Sequence, residues 1–179
     1  MRLFTVGHST HSLDELVALL TRHGVQRLAD VRRTPRSRRH PQFNRETLAA
    51  ELPERGLDYR HLPALGGRRR PRADSPNAGW EHEAFRGYAD YALTREFAAG
   101  LAELCALGGE RPTAVMCAEA LWWRCHRRLI ADRLTGLGWT VRHIGADGSL
   151  AEHELPPFAV VDADKTVRYP PTQAALPGI

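Results

Sequence analysis

Two short apolar runs joined by one amphipathic segment confine the start of this chain to few folds. Residues 2–7 (RLFTVG) read as a strand, and Ser12 then offers an N-cap to a helix whose Asp14 and Glu15 suit its positive end. Leu13, Leu16, Val17, Leu19 and Leu20 form the apolar stripe, and Gly24 closes the helix. Residues 26–31 (QRLADV) supply a second strand, and the connection is long enough for a parallel crossover.

The same punctuation continues. Asn44 is placed to cap a helix through about Glu54, with Pro53 marking its end, and residues 57–62 read as a third strand. An irregular insertion from Pro63 to about Glu83, rich in proline and arginine, is expected to serve as a lid. Residues 84–92 are helix-compatible, and Thr94 caps a helix carrying Phe97, Leu101, Leu104 and Leu107. A fourth strand is expected at 113–117, a helix from Trp123 to Leu137, and a fifth strand at 139–144. The proline-rich remainder, 146–179, holds FAVV at 158–161 as an edge strand. The expectation is α/β: a single three-layer domain over 1–179, with a mostly parallel central sheet of about five strands flanked by helices.

With 179 residues and 42% hydrophobic content, the chain is long enough for one core. No run approaches the apolar length of a membrane span, and the first residues lack a secretory pattern, so the expected location is cytoplasmic, with no membrane partner. Cysteines 105, 117 and 125 make no even disulfide framework.

In an open parallel sheet, ligands gather at the carboxyl ends of the strands. The first strand ends in Gly7, His8 and Ser9, the second delivers Asp30 and Arg32, and the fourth ends in Cys117 and Glu119. Catalytic candidates are therefore Cys117 as nucleophile, Glu119 and His8 as proton carriers, and Asp30 as the carboxylate that orients Arg32 or His8. Cys117 is expected at a strand-to-helix turn, where helical N–H groups favour thiolate. Each candidate has a plain alternative: a buried thiol, a histidine satisfied by a loop, a carboxylate that accepts from loop amides. Cys125 and His126, with His8 and Glu119, supply metal donors, but their spacing matches none of the strong zinc patterns; no metal or other cofactor is assigned. Cys105 is expected in the core.

The net charge is +4, with a pI near 9.3. Lys165 is the only lysine, so nearly all positive charge is arginine, concentrated at 32–39 (RRTPRSRR) and 68–72 (RRRPR). Guanidinium forks suit phosphate, although loop arginines are also ordinary solvated surface. Arg32, Arg36, Arg39, Arg124 and Arg127, with Ser9 and His126, are the candidate substrate-binding residues. Trp122 and Trp123 are read either as packing or as stacking platforms.

The ordered segments GHST (7–10), LADVR (28–32), PRSRRHPQFN (35–44), HLPALGG (61–67), FRGYADY (85–91) and MCAEALWWRCHR (116–127) resemble the bacterial and archaeal family known as domain of unknown function 488, over about residues 3–145. That resemblance implies an α/β domain without an established reaction. The layout of DVR, a strand-end Cys117 and a following helix also looks like rhodanese-type sulfurtransferases and cysteine phosphatases. In those proteins a backbone loop cradles an anion while the cysteine carries sulfur or phosphate. AEALWW contains no glycine and matches a tight cradle poorly, so the likeness implies a role for Cys117 alone.

The leading expectation is a cysteine-dependent transferase or hydrolase acting on an anionic small molecule, nucleotide or nucleic acid, by thiolate or sulfur-carrier chemistry. The alternatives are a nucleic-acid-binding module with a structural Cys117, and a Glu119-dependent hydrolase of a glycosidic bond.

Overall fold

The chain opens with β1 (Arg2–Gly7), α1 (Leu13–Arg22) and β2 (Arg27–Asp30), as its first apolar runs predict. Ser12 makes a complete capping box, its hydroxyl accepting from Glu15 N while the Glu15 carboxylate accepts from Ser12 N. Gly24 follows the helix at φ 69°, a left-handed conformation that costs glycine little. The computed structural model describes residues 1–171.

Helix α2 (Arg45–Glu54) leads to β3 (Asp58–His61), then α3 (Glu83–Tyr91), α4 (Arg95–Glu110), β4 (Thr113–Cys117), α5 (Arg127–Gly136), β5 (Thr140–Ile144) and β6 (Leu150–Glu152). The six strands lie in the order β3-β2-β4-β1-β5-β6, parallel throughout except for the antiparallel β5–β6 pair. Leu13, Leu16 and Leu20 of α1, with Leu48 and Leu52 of α2, seal one face. Phe97, Leu101 and Leu104 of α4, with Leu129, Ile130 and Leu134 of α5, seal the other. The fold is a three-layer α/β domain, and Cys105, on α4, is half-buried against its core.

The mostly parallel sheet of about five strands is present as expected, and β6 extends its edge by a sixth, antiparallel strand whose short, exposed residues do not announce it. Several local expectations need correction. FAVV does not extend that sheet: Val160–Val161 (β7) pairs with Val167–Arg168 (β8) in a separate two-stranded ribbon. Asn44 precedes α2 but does not cap it with its side chain, which instead accepts from Ser37 N at 2.6 Å. Pro53 sits inside the last turn of α2. The segment expected as a lid is fastened to the domain. Its Arg72 N, Ser75 hydroxyl and Asn77 amide all donate to the Asp90 carboxylate of α3. Its Trp80 is buried against Phe85, Phe158 and Tyr169.

The consequential correction concerns residues 123–137. One helix was expected there, but a single 3-10 turn (Trp122–Arg124) comes first and α5 begins only at Arg127. Cys125 between them is extended, at φ −119° and ψ 150°. The indole of Trp122 lies flat on His143 of β5, 3.8 Å between centroids and 4° from parallel. That stacking anchors the turn to the sheet, and a continuous helix would pull it away.

Candidate active site

The carboxyl ends of β1, β2 and β4 finish level. Gly7 pairs with Cys117 and Asp30 with Met116, while His8 N donates to Cys117 O and Val31 N to Met116 O, both at 3.0 Å. The segments bearing His8, Asp30 and Cys117 therefore share one rim. Because side chains alternate across a strand, they do not share one face. Cys117 packs with the α4–α5 core, whereas His8 stacks on Phe43 of the α1–α2 core at 4.1 Å.

On the α1–α2 side, Asp30 is fully buried and holds Arg32 through both oxygens. Oδ1 accepts from Arg32 N at 3.0 Å and Nε at 2.8 Å; Oδ2 accepts from Nη2 at 2.6 Å and from the Tyr59 hydroxyl at 2.9 Å. Arg32 Nη2 also donates to Phe43 O, and Nη1 lies 3.2 Å from His8 Nε2. A guanidinium can only donate, so His8 Nε2 accepts and its Nδ1 donates to Ser9 O. His8 is thus held neutral, its pKa lowered to about 4 by burial and then by the Arg32 charge. Asp30 orients Arg32 directly and His8 through it.

On the other face, Cys117, Cys125 and His126 bring their ligand atoms within 4.8 Å of one another. His126 Nδ1 lies 3.6 Å from Cys125 Sγ and 3.9 Å from Cys117 Sγ. Arg127, 1% exposed, donates Nε to Cys125 Sγ at 3.4 Å and Nη2 to the Glu119 carbonyl. The hydrogen bond to Cys125, with burial, pushes the Cys117 thiol up. That bond, with His126 and Arg127 beside it, pulls Cys125 well below the ordinary thiol range. The expected helix-start activation of Cys117 therefore does not occur, since α5 begins ten residues later.

The two faces meet in a cleft. Arg32, Arg33, Thr34, Arg36, Gly67 and Arg68 line about 670 Å³ on one side of Cys117, and Arg68, His82, Phe85, Tyr88, Glu119 and Arg124 line about 660 Å³ on the other. Cys117, Ala118, His126 and Arg68 belong to both. Of the candidates, Arg36, Arg124 and Glu119 are exposed on this lining, and Glu119 accepts from Leu121 N. Arg127 lies beneath it as a buried support, and Arg39 is exposed outside it. Ser9, at φ 45°, continues the β1 rim, its N donating to Ala118 O. Trp123 is exposed while Trp122 packs on His143.

Close backbone approach shapes the rim. A Cβ on Gly7 would overlap the Glu119 carbonyl and lie 2.9 Å from Ala120 Cα. Gly7→Ala is expected to displace this loop, break the Arg127 bond to Glu119 and cost about 1–3 kcal/mol. Urea unfolding at neutral pH checks it; an unchanged midpoint would mean that the loop yields freely.

In the sequence Cys125 stands out only as a metal donor and Arg68 only as part of an arginine run, and the supports behind the thiols carry almost no local signature. Tyr88 and Tyr91 donate to Leu65 O and Ala64 O, holding the Gly67–Arg68 strap, and the Tyr88 ring lies 5.1 Å from His126. Beneath Trp122 runs a buried chain: Thr5 Oγ1 to His143 Nδ1 at 2.7 Å, His143 Nε2 to His153 Nδ1 at 2.9 Å, and His153 Nε2 to Asp132 Oδ1 at 2.7 Å. The Tyr169 hydroxyl donates to the other Asp132 oxygen at 2.5 Å. The one signal in the sequence is a histidine at a core-facing position of β5, two residues from Val141.

No curated protein and no solved structure matches the chain. A family model, Domain of unknown function DUF488, matches residues 12–134, a span that contains Arg32, the Gly67–Arg68 strap and all three members of the thiol–imidazole cluster. The chain belongs to that family.

Proposed function

We propose that this protein is a thiol-dependent enzyme, a transferase or hydrolase, that acts on an anionic substrate of nucleotide or nucleic-acid type. The observation that carries the reading is the placement of Cys117. Its sulfur lines an arginine-bordered cleft, with a second sulfur and an imidazole within 4.8 Å behind it. Arg33, Arg36, Arg68 and Arg124 hold the anion, because Arg32 is occupied by Asp30 and Phe43 O. Cys117 attacks the electrophilic centre, its proton passing to Cys125 or to His126 Nδ1, and the leaving group departs as the new bond to sulfur forms. The leaving group takes up that proton, relayed by Glu119 at the solvent edge, and water or an acceptor hydroxyl then displaces the Cys117 sulfur from the transferred group, its own proton restoring the thiol. His8 and Asp30 keep the β1–β2 rim in place.

The test is competitive alkylation. Reduced, metal-free protein treated with iodoacetamide should label Cys117 at least about tenfold faster than Cys105, because Cys117 lines the cleft with Cys125 and His126 Nδ1 in reach of its proton, whereas Cys105 packs against the core with no such acceptor. Pyrophosphate or a short oligonucleotide should slow labelling of Cys117 and leave Cys105 unaffected. Equal, slow labelling of both would overturn the reading.

Trp123, 47% exposed beside Arg124, favours a second reading in which the cleft rim binds nucleic acid without cysteine chemistry. That function predicts oligonucleotide affinity that falls steeply with salt and survives Cys117→Ser.

A further inference from the structure

We propose that Cys117, Cys125 and His126 form a three-ligand site for a soft divalent cation of the zinc class, with its fourth coordination position open to the cleft. The donors come from three backbone contexts that the fold brings together: the end of β4, the extended residue after the 3-10 turn, and the residue before α5. Zinc bonds of about 2.3 Å to sulfur and about 2.0 Å to nitrogen, at tetrahedral angles, require about 3.6 Å between sulfur and nitrogen. The two observed separations are 3.6 Å and 3.9 Å. Both sulfur–nitrogen edges of such a tetrahedron are therefore within about 0.3 Å of what zinc requires, and the third edge, between the sulfurs, is within 4.8 Å.

The surroundings fit the same use. Nδ1 is the His126 nitrogen that faces both sulfurs. The ring is confined on one side by Tyr88 and on another by Gly67, where a Cβ would lie 2.7 Å from Nδ1. A bulkier residue at 67 would push the imidazole off its sulfur partners. The N–H of Arg127 Nε against Cys125 Sγ is the kind of outer hydrogen bond that orients a coordinated thiolate. Two thiolates and an imidazole prefer zinc-class cations to magnesium or calcium, which take oxygen ligands. No fourth His, Cys, Asp or Glu joins the group among the described residues, and Cys117 and His126 both line the cleft, so water or substrate completes the shell. Thiol protons leave to solvent as the metal binds.

This inference adds a regulation to the proposed function and rests on it in that respect: an occupied site withholds both sulfurs from electrophiles. Reduced full-length protein, stripped with a chelator, is titrated with Co2+ alone. Tetrahedral d–d absorption and a thiolate-to-cobalt charge-transfer band should saturate at one cobalt per chain and disappear on adding Zn2+. Cys117→Ser and His126→Gln, at half-buried positions, should each weaken binding at least about tenfold, and Cys105→Ser should leave it unchanged. Circular dichroism confirms that each variant is folded. Absence of a saturable band, or a band that survives both substitutions, would overturn the site. Alkylation separates the two ideas. Rapid labelling of metal-free Cys117 without cobalt binding leaves the thiol enzyme and removes the metal. Cobalt binding with Cys117 no faster than Cys105 leaves the metal and removes the nucleophile.

Discussion

Replacing Asp30 by alanine is expected to cost this protein about 3–5 kcal/mol, a large part of the stability of an ordinary domain. The carboxylate is fully buried, and three of its four hydrogen bonds come from Arg32, itself 9% exposed. Alanine removes the negative charge and strands a guanidinium with only Phe43 O and His8 Nε2 as partners. A buried cation without its counter-ion accounts for most of the loss, and the Tyr59 hydroxyl loses its acceptor as well. Urea unfolding at neutral pH measures the difference. Removing both charges together, Asp30→Leu with Arg32→Met, should recover much of it, because a buried pair adds little net stability over apolar residues of similar volume. A single Asp30→Ala variant within about 1 kcal/mol of the parent would show that water reaches Arg32 in the folded protein. The pair also holds the β2 end of the cleft, so the same variant should loosen the loop that carries Arg33 and Arg36.

How far such a network is legible in sequence depends on the range of the interactions that build it. Ser12, Glu15 and Gly24 act within a few residues, so the boundaries of α1 are visible in the chain itself. The apolar run Ala114–Met116 announces a central strand for the same reason. The rim of the sheet follows from parallel order, which explains why His8, Asp30 and Cys117 could be placed at one edge before any contact was known. What alternation in a fully buried strand does not disclose is which face each residue takes. In β2, Leu28, Ala29 and Asp30 are all at 0% exposure, so no polar–apolar pattern separates them. The expected single cluster is therefore two, back to back. The break at Cys125 was equally hidden: LWWRCHRRL has the apolar content of a helix, and what stops it is Trp122 on His143, a contact made across the sheet. The exposed residues of β6 give no signal at all, because their pairing partner, not their composition, makes them a strand.

Acid should weaken the fold well above the range in which carboxylates titrate, and the cause is two histidines buried as neutral rings. Burial lowers the pKa of His8 to about 4, with the Arg32 charge adding to it and Asp30 opposing it, and lowers that of His143 to about 3, with His153 and Arg127 adding to it. In the unfolded chain both titrate near 6.5. Between those values the unfolded state holds more protons than the folded one, so stability rises with pH across the window. The contribution is complete above about pH 6.5. It is lost as pH falls, through about 4 for His8 and about 3 for His143. Each ring should take about 2 kcal/mol from the fold between pH 7 and pH 5. Urea unfolding at those two pH values reads the sum, about 4 kcal/mol, with little change in the denaturant slope. His143 has a structural reason to resist the proton. His143 Nε2 lies 2.9 Å from His153 Nδ1, His153 Nε2 lies 2.7 Å from Asp132 Oδ1, and His143 Nδ1 lies 2.7 Å from the Thr5 hydroxyl. A second proton on His143 would place a positive charge in a buried chain beside His153 and Arg127. His143→Asn should therefore remove about half of the pH 7 to pH 5 dependence, even if it lowers stability at both. Equal stability at pH 7 and pH 5 in the parent would mean that the folded protein accepts these protons, and with them the chain that supports the Cys125 turn would have to rearrange.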